Sequence, residues 1–200
     1  MRKFEFARPM ADGKPVSEEK AFKEAKLPEY KTKGAAAADF FCAQEVTVPS
    51  MWKQNLGLFK IAEFIFDCVM NNKQAIQSLN YEERLNTLNS AMKPTLVHTG
   101  IKAQMNDDEV LEIYSRSSNF KKKGLILTNS VGVVDSDYYN CPDNDGEIMF
   151  SFINLGLSDT TIKVGEAIGQ GMFKKVLRPD ENLVIANVDR QGGFGSTDGK

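Results

Sequence analysis

Cysteine, histidine and tryptophan are scarce: three, one and one in 200 residues. Cys42, Cys68 and Cys141 are odd in number, far apart and form no CxxC pair. A disulfide framework or a clustered zinc site is therefore not expected, and idle thiols in a reducing compartment are. The single imidazole, His98 in Val97-His98-Thr99-Gly100, reads as a polar strand-end residue. The chain has no HExxH stretch and no Gly-x-Ser-x-Gly elbow, so zincin and serine-hydrolase chemistry lack support. Long apolar runs are missing too. The best candidate, Leu58 to Met70, is broken by Lys60, Glu63 and Asp67, which argues against a membrane span. No apolar run follows the opening Met1-Arg2-Lys3-Phe4-Glu5-Phe6, so no secretory leader is expected and the protein reads as cytoplasmic. A net charge of −2 lacks the basic excess of a broad nucleic-acid surface, although a few local cations and a metal suffice for a polyanionic small ligand.

What is present suits one globular domain over residues 1–200, with 42% hydrophobic and 26% charged residues. Lys3 to Ala7 reads as an edge strand, and Ser17 to Lys26 has helical composition with Ser17 as N-cap. The alanine run Ala35 to Ala38 leans helical in isolation. Pro28, Gly34 and the following Val46-Thr47-Val48 instead favour strand and turn. Residues 51–92 differ in character. Trp52, Leu56, Phe59, Phe66 and Val69 recur at helical spacing, and Asn80 with Glu83 makes a helix start. Two or three helices packed as a hairpin follow, either a structural excursion or a surface for a protein partner. From residue 94 to 189 the sequence returns to short β-rich pieces: Thr95 to Val97, Val110 to Tyr114, Gly124 to Thr128, Ile148 to Ile153 and Leu183 to Ala186. Gly, Asn and Asp clusters separate them, as in a sandwich or barrel.

Three clusters carry candidate chemistry. Asp135-Ser136-Asp137 begins an acidic stretch running through Asp143, Asp145 and Glu147. An EF-hand needs Gly and Glu where the chain has Asn140 and Gly146, so a calcium loop is excluded. Asp143 to Asp145 reads as an acidic surface turn. Asp135 ends the apolar run Val131-Gly132-Val133-Val134, where a carboxylate can be rigidly aimed at a water, or can simply end a strand. Arg116-Ser117-Ser118 after a strand makes either a phosphate cradle or an exposed turn. Lys121-Lys122-Lys123 before Gly124 reads as a solvated hairpin turn. The C-terminus, Arg190-Gln191-Gly192-Gly193-Phe194-Gly195-Ser196-Thr197-Asp198-Gly199-Lys200, combines cations, hydroxyls, glycines and one aromatic. Those are the parts of a lid for a phosphorylated aromatic ligand, and equally of a loose tail.

In order, these stretches resemble the five motifs of the trimeric dUTP pyrophosphatases (dUTPases). Ala37-Ala38-Asp39-Phe40 resembles the first and Arg116-Ser117-Ser118 the second. Asn129-Ser130-Val131-Gly132-Val133-Val134-Asp135-Ser136-Asp137-Tyr138 is similar to the third. Gly165-Glu166-Ala167-Ile168-Gly169-Gln170 is similar to the fourth, and Arg190 with Gly192 to Thr197 to the fifth. The resemblance covers roughly residues 28–50 and 93–200. It implies a mainly β protein, a jelly-roll β-sandwich with a mobile arm over 190–200; the helical stretch over 51–92 is then an insertion between the first and second motifs and the largest departure from the family. It also implies a homotrimer with sites between subunits, hydrolysing dUTP to dUMP and pyrophosphate with Mg²⁺ held chiefly by the triphosphate and waters. Asp135 would activate the attacking water. Arg116, Ser117, Ser118 and Gln170 would bind the inner phosphates. Asn129 and the backbone of Val133, Val134 and Met149 would read the uracil edge, and Tyr138 would sit beneath the deoxyribose. Phe194 would cover the base, Gly195 would lie in the same run, and Arg190, Ser196 and Thr197 would close on the outer phosphates.

Some positions depart from the family pattern. Ser115 and Ser118 stand where the second motif usually has Pro and Gly, so the phosphate turn is expected to narrow at Ser118. Gly169 replaces the usual Ala of the fourth motif, and Asp198 a Gly of the fifth. About six extra residues within Tyr139 to Asp145 lengthen a hairpin at the site's edge. Two rivals remain at this level: a dCTP deaminase sharing the sandwich, and a binding module signalling through residues 51–92. The acidic third motif and the glycine-rich arm speak against the deaminase.

Overall fold

Short runs of β-branched and aromatic residues alternating with polar ones set the strands of this chain. The computed structural model describes residues 1–11, 14–15, 22, 24–54, 93–181, 190 and 193. Within them lie β1 (Lys3–Phe6), β2 (Met10–Ala11), β3 (Lys14–Pro15), β4 (Ala38–Phe41), β5 (Val46–Val48) and the single turn α1 (Met51–Gln54). After residue 92 come β6 (Thr95–His98), β7 (Ile101–Gln104), β8 (Glu109–Ser115), α2 (Ser117–Lys123), β9 (Leu125–Leu127) and β10 (Val131–Asp135). A 3-10 turn (Ser136–Tyr138), β11 (Met149–Asn154), β12 (Thr160–Ile162) and β13 (Ala167–Lys175) complete the set.

The largest sheet has the order β10-β8-β13-β4 and the next β6-β11-β9, with β1 on β7 and β12 on β5 as antiparallel pairs. Sequence neighbours rarely pair, which is the crossing connectivity of a jelly-roll sandwich. Phe40 of the first sheet meets Phe150 of the second at 5.8 Å between ring centroids, and Phe150 stacks on Phe152 at 6.2 Å. Residues two apart on a strand share a face, so Phe150, Phe152 and Asn154 all turn inward. Each fully buried aromatic or aliphatic side chain contributes about 1.5–3 kcal/mol. Asn154 is tolerated there because its amide is satisfied: it donates to the carbonyls of Val48 (3.0 Å) and Ser158 (2.9 Å) and accepts from the Gly156 N–H (2.8 Å).

Lys121, Lys122 and Lys123 are not a hairpin turn. They form the last turn of α2, where cations complement the carbonyl end of a helix. Gly124 closes it with φ +68°, donating to the Phe120 carbonyl at 2.9 Å, and a Cβ there would meet the Gly156 nitrogen at 2.6 Å. The expected strand at Leu183 to Ala186, most of the helix at Ser17 to Lys26 and the helical hairpin beyond Gln54 lie outside the described residues. The residue before α1 is firmly anchored: buried Ser50 accepts no slack, since its N–H donates to Asp159 (2.9 Å) and its hydroxyl to the Gly156 carbonyl (2.6 Å). Trp52 adds a hydrogen bond from its indole N–H to the Leu155 carbonyl at 3.0 Å.

Candidate active site

Asp135 is the last residue of β10, which among the described residues is an edge strand paired only with β8. An edge strand leaves a row of N–H and C=O groups without strand partners. Here that edge faces a cavity of about 230 Å³ lined by Asn129, Val133, Val134, Asp135, Tyr138 and Met149, with Arg190 and Gly193 at its rim. Gly132 lets the strand approach: a Cβ there would fall 2.4 Å from Ile113 Cγ1. The turn before β10 is tight, with Ser130 at φ +57° donating to the Leu127 carbonyl at 3.2 Å. The volume is below the roughly 300–1,000 Å³ that encloses a drug-sized ligand whole, so a larger ligand would extend beyond the cavity.

Tyr138 forms the buried floor. Its hydroxyl donates to the Glu147 carbonyl at 3.1 Å and accepts from Asn144 Nδ2 at 2.6 Å. Burial pushes the phenol up to about 12, with the Asn144 hydrogen bond opposing. Arg190 closes the mouth, donating through Nε to Asp137 at 2.6 Å and through Nη2 to Asp135 at 2.5 Å. Glu147 is buried behind the floor. Its carboxylate accepts from the Gly100 N–H at 2.9 Å and lies 3.0 Å from His98 Nδ1. That hydrogen bond holds the His98 imidazole above its ordinary value, against the cost of burial.

The remaining candidates sit elsewhere. A second depression, of about 370 Å³, is lined by Ser115, Arg116, Ser117, Phe120, Leu125 to Leu127 and Ser130. Asn129 and Ser130 are consecutive yet line different depressions, so the 127–130 turn divides the two. Arg116 reaches towards Asp39 (Nη2 to Oδ2, 3.5 Å) and donates to the Ala167 carbonyl at 3.4 Å. Gln170, on β13, lies opposite Asp39 of β4 and Tyr114 of β8. Ser118 occupies the first turn of α2 rather than an open loop. Buried Asn119 bridges these segments, donating to Ser115 Oγ (3.1 Å) and to the Ile168 carbonyl (2.7 Å). Phe194, Gly195, Ser196 and Thr197 lie outside the described residues.

Sequence reasoning missed Glu147, Asn144 and Asn119. Each sits in a polar stretch that reads locally as turn or surface; Glu147 and Asn119 are buried by partners more than forty residues away, Gly100 and Ile168, while Asn144 is held within its own hairpin. Asp145 is likewise no free surface acid: it accepts from buried Lys102 Nζ at 2.9 Å, 43 residues away.

A family model described as dUTPase matches residues 72–198. The chain belongs to the dUTPase family. Among relatives, the deoxyuridine 5'-triphosphate nucleotidohydrolase of Hydrogenobaculum sp. (strain Y04AAS1) is 32% identical over 177 residues, covering 87% of this chain and 91% of that protein. The same-named protein of Lactococcus lactis subsp. lactis (strain IL1403) is 48% identical over 102 residues, 51% of this chain and 68% of its own length. The crystal structure of the Streptococcus mutans dUTPase superposes with a TM-score of 0.58 at 28% identity, covering 88% of this chain and 98% of that one. A dUTPase from phage phi11 of S. aureus, noted for a species-specific insert, shares the fold at a TM-score of 0.55 and 13% identity, covering 92% and 96%. The mainly β architecture is thus a dUTPase sandwich. Among the described residues no helix is long and apolar enough to cross a membrane.

Proposed function

We propose that this dUTPase-family protein hydrolyses dUTP to dUMP and pyrophosphate, supplying dUMP and removing a source of uracil from DNA. The carrying observation is Asp135, a carboxylate at the end of a rigid strand, lining the same cavity as Asn129, the β10 edge, Tyr138 and Met149. The open edge of β10 at Val133 and Val134, with Asn129, would give uracil its donors and acceptors, and Tyr138 would lie under the sugar. Cytosine would leave several of those groups unpaired once the bound base covers them, a mismatch that costs about 10⁴-fold or more in favourable cases. Asp135 orients a water in line with the α-phosphorus and takes its proton as the new P–O bond forms. The bond to the α,β-bridging oxygen breaks and pyrophosphate leaves. Positioning of this kind contributes at most about 7–11 kcal/mol, so the rest must come from charge stabilisation.

Asp135 and Asp137, both half exposed at the cavity mouth, suit a hydrated Mg²⁺ carried in by the triphosphate. When bound, that ion would supply charge neutralisation for the leaving pyrophosphate. Arg190, Ser196 and Thr197 would close on the outer phosphates while Phe194 covers the base. Arg116, Ser117, Ser118 and Gln170 are assigned to the inner phosphates, yet within one chain they do not line the nucleoside cavity. A homotrimer in which each site joins one subunit's nucleoside cavity to another's Arg116 region accounts for that separation. On this reading residues 1–200 are one catalytic unit, 51–92 an accessory insertion and 190–200 a closing arm.

The test is pyrophosphate release from dUTP, dCTP and dTTP with Mg²⁺: release from dUTP alone is expected. Asp135→Asn should abolish turnover while a non-hydrolysable dUTP analogue still binds. Normal turnover by that variant would falsify the assignment of the base.

A further inference from the structure

The segment between Tyr138 and Glu147 is held from both ends. On its inner side Cys141 N–H donates to the Tyr138 carbonyl (3.2 Å) and Glu147 N–H to the Asn144 carbonyl (3.1 Å), closing a compact hairpin. Asn140, Asp145 and Gly146 take positive φ of 60°, 57° and 76° to make its bends. On its outer side buried Lys102 of β7 donates to Asn140 Oδ1 (2.6 Å) and Asp145 Oδ2 (2.9 Å), and the Arg8 N–H donates to the same Asp145 oxygen at 2.8 Å. Lys102 and Asp145 side chains are only 9% and 12% exposed, and breaking a buried pair from one side is costly. The hairpin is therefore as rigid as the sheet it is tied to.

What this rigid hairpin presents inward is one amide. Asn144 Oδ1 accepts from Gly146 N–H (3.2 Å) and the Cys141 thiol (3.0 Å), which fixes which end of the amide faces which way. Its Nδ2 then points at the Tyr138 hydroxyl (2.6 Å) and the Glu147 carbonyl (3.3 Å). The Tyr138 hydroxyl meanwhile donates to that carbonyl, so the ring is pinned at its para end by one donor and one acceptor. A ring tethered only at Cβ can tilt about its χ angles; one also held at the hydroxyl cannot.

We infer that Asn144 is a positioning residue that sets selectivity for a deoxyribose over a ribose substrate, by holding the Tyr138 ring against the space a 2′-hydroxyl would need. This rests on the proposed dUTP hydrolysis and on Tyr138 lying beneath the sugar. Exclusion of one oxygen by a ring face is a matter of tenths of an ångström, and displacements of about 1 Å near reacting groups change rates by about a hundredfold. Releasing the hydroxyl lets the ring recede and admits UTP.

The experiment compares kcat/KM for dUTP and UTP in wild type, Asn144→Ala, Asn144→Asp, Tyr138→Phe and the Asn144→Ala/Tyr138→Phe double variant. The dUTP-to-UTP ratio should fall about tenfold or more in each single variant. In the double variant it should fall no further than in Tyr138→Phe, because both changes cut the same hydrogen bond. Tyr138→Phe removes that bond together with the hydroxyl's bond to the Glu147 carbonyl and leaves the Asn144 side chain untouched, so an unchanged ratio there overturns the inference even where an Asn144 variant does not fold. An unchanged ratio in Tyr138→Phe or in a folded Asn144 variant overturns the inference, as do effects that multiply in the double variant. Wild-type protein that releases no pyrophosphate from dUTP overturns the functional reading itself, and this inference with it.

Discussion

Gly169→Ala supplies the alanine that the resemblance to the fourth motif leads one to expect, yet here it should be harmful. A Cβ built on Gly169 falls 1.9 Å from Phe150 Cε1, 2.4 Å from Cζ and 2.6 Å from Cδ1. Ordinary carbon contacts lie near 3.5–4.0 Å, so the ring would have to withdraw by about 1.5–2 Å. It has nowhere to go: Phe150 is fully buried, stacked on Phe152 and packed against Phe40. Overpacking of this kind costs about 1–3 kcal/mol. Because Gly169 has no positive φ, the same substitution also stiffens the unfolded chain, a gain of about 0.4–1 kcal/mol. The steric cost is the larger, and at about 2–4 °C per kcal/mol for a chain this long it lowers the melting temperature by several degrees. Circular-dichroism melts at one fixed protein concentration measure this, since an oligomer's midpoint depends on concentration. Phe150→Leu should relieve the clash, so the double variant loses less than the sum of the two singles. A Gly169→Ala protein that melts at or above wild type refutes the packing account.

Two other predictions follow from the site. A Cβ at Gly193 would lie 2.9 Å from Tyr138 Cε2, so Gly193→Ala should lift the start of the arm from the site and raise KM for dUTP severalfold with little change in melting temperature; unchanged kinetics refute this docking. His98 is held above its ordinary value of 6.5 chiefly by its hydrogen bond to Glu147, so folding favours the protonated ring. Its contribution is fully present below about pH 6.5 and is lost as pH rises through the higher folded value. Melting temperature should therefore fall with pH through that window in wild type but not in His98→Gln, and parallel curves count against the pair.

Legibility in the sequence tracked how local the cause was. β10 could be read because an apolar run ends in an acid, and the strand does end at Asp135. A sandwich or a barrel was readable from short β-branched pieces between turn residues, and the resemblance to the five motifs chose the sandwich. The helix Ser117–Lys123 was not, because a seven-residue run with Phe120 as its one apolar residue has no apolar stripe to betray it; Asn119 and Gly124 secure it through Ile168 and Phe120. Glu147 and Asp145 sat in a string of turn formers that looked like surface. Their burial depends on Gly100 and Lys102, more than forty residues away. Gly169 was visible as a departure, but its reason, the Phe150 ring, lies on the opposite sheet. Sequence order also said nothing about which depression each motif would line, so the distance of Arg116 and Gln170 from the nucleoside cavity emerged only in three dimensions.

The contact between Arg190 and the two acids at the cavity mouth acquires a second meaning once the substrate is a triphosphate. Asp135 and Asp137 are 50% and 60% exposed in their side chains. Exposed ion pairs of this kind are worth about 0–1 kcal/mol, so the clasp contributes little to stability and opens at little cost. Its effect is electrostatic. Two carboxylates beside the path of a polyanion repel it, and a guanidinium lodged between them cancels part of that field before the nucleotide arrives. A triphosphate offers that guanidinium planar, bidentate oxygen partners of higher charge. Transfer of Arg190 from the acids to the phosphates would uncover Asp135 at the step when a water must be oriented beside it. On the proposed function, Arg190 would thereby couple phosphate binding to exposure of Asp135.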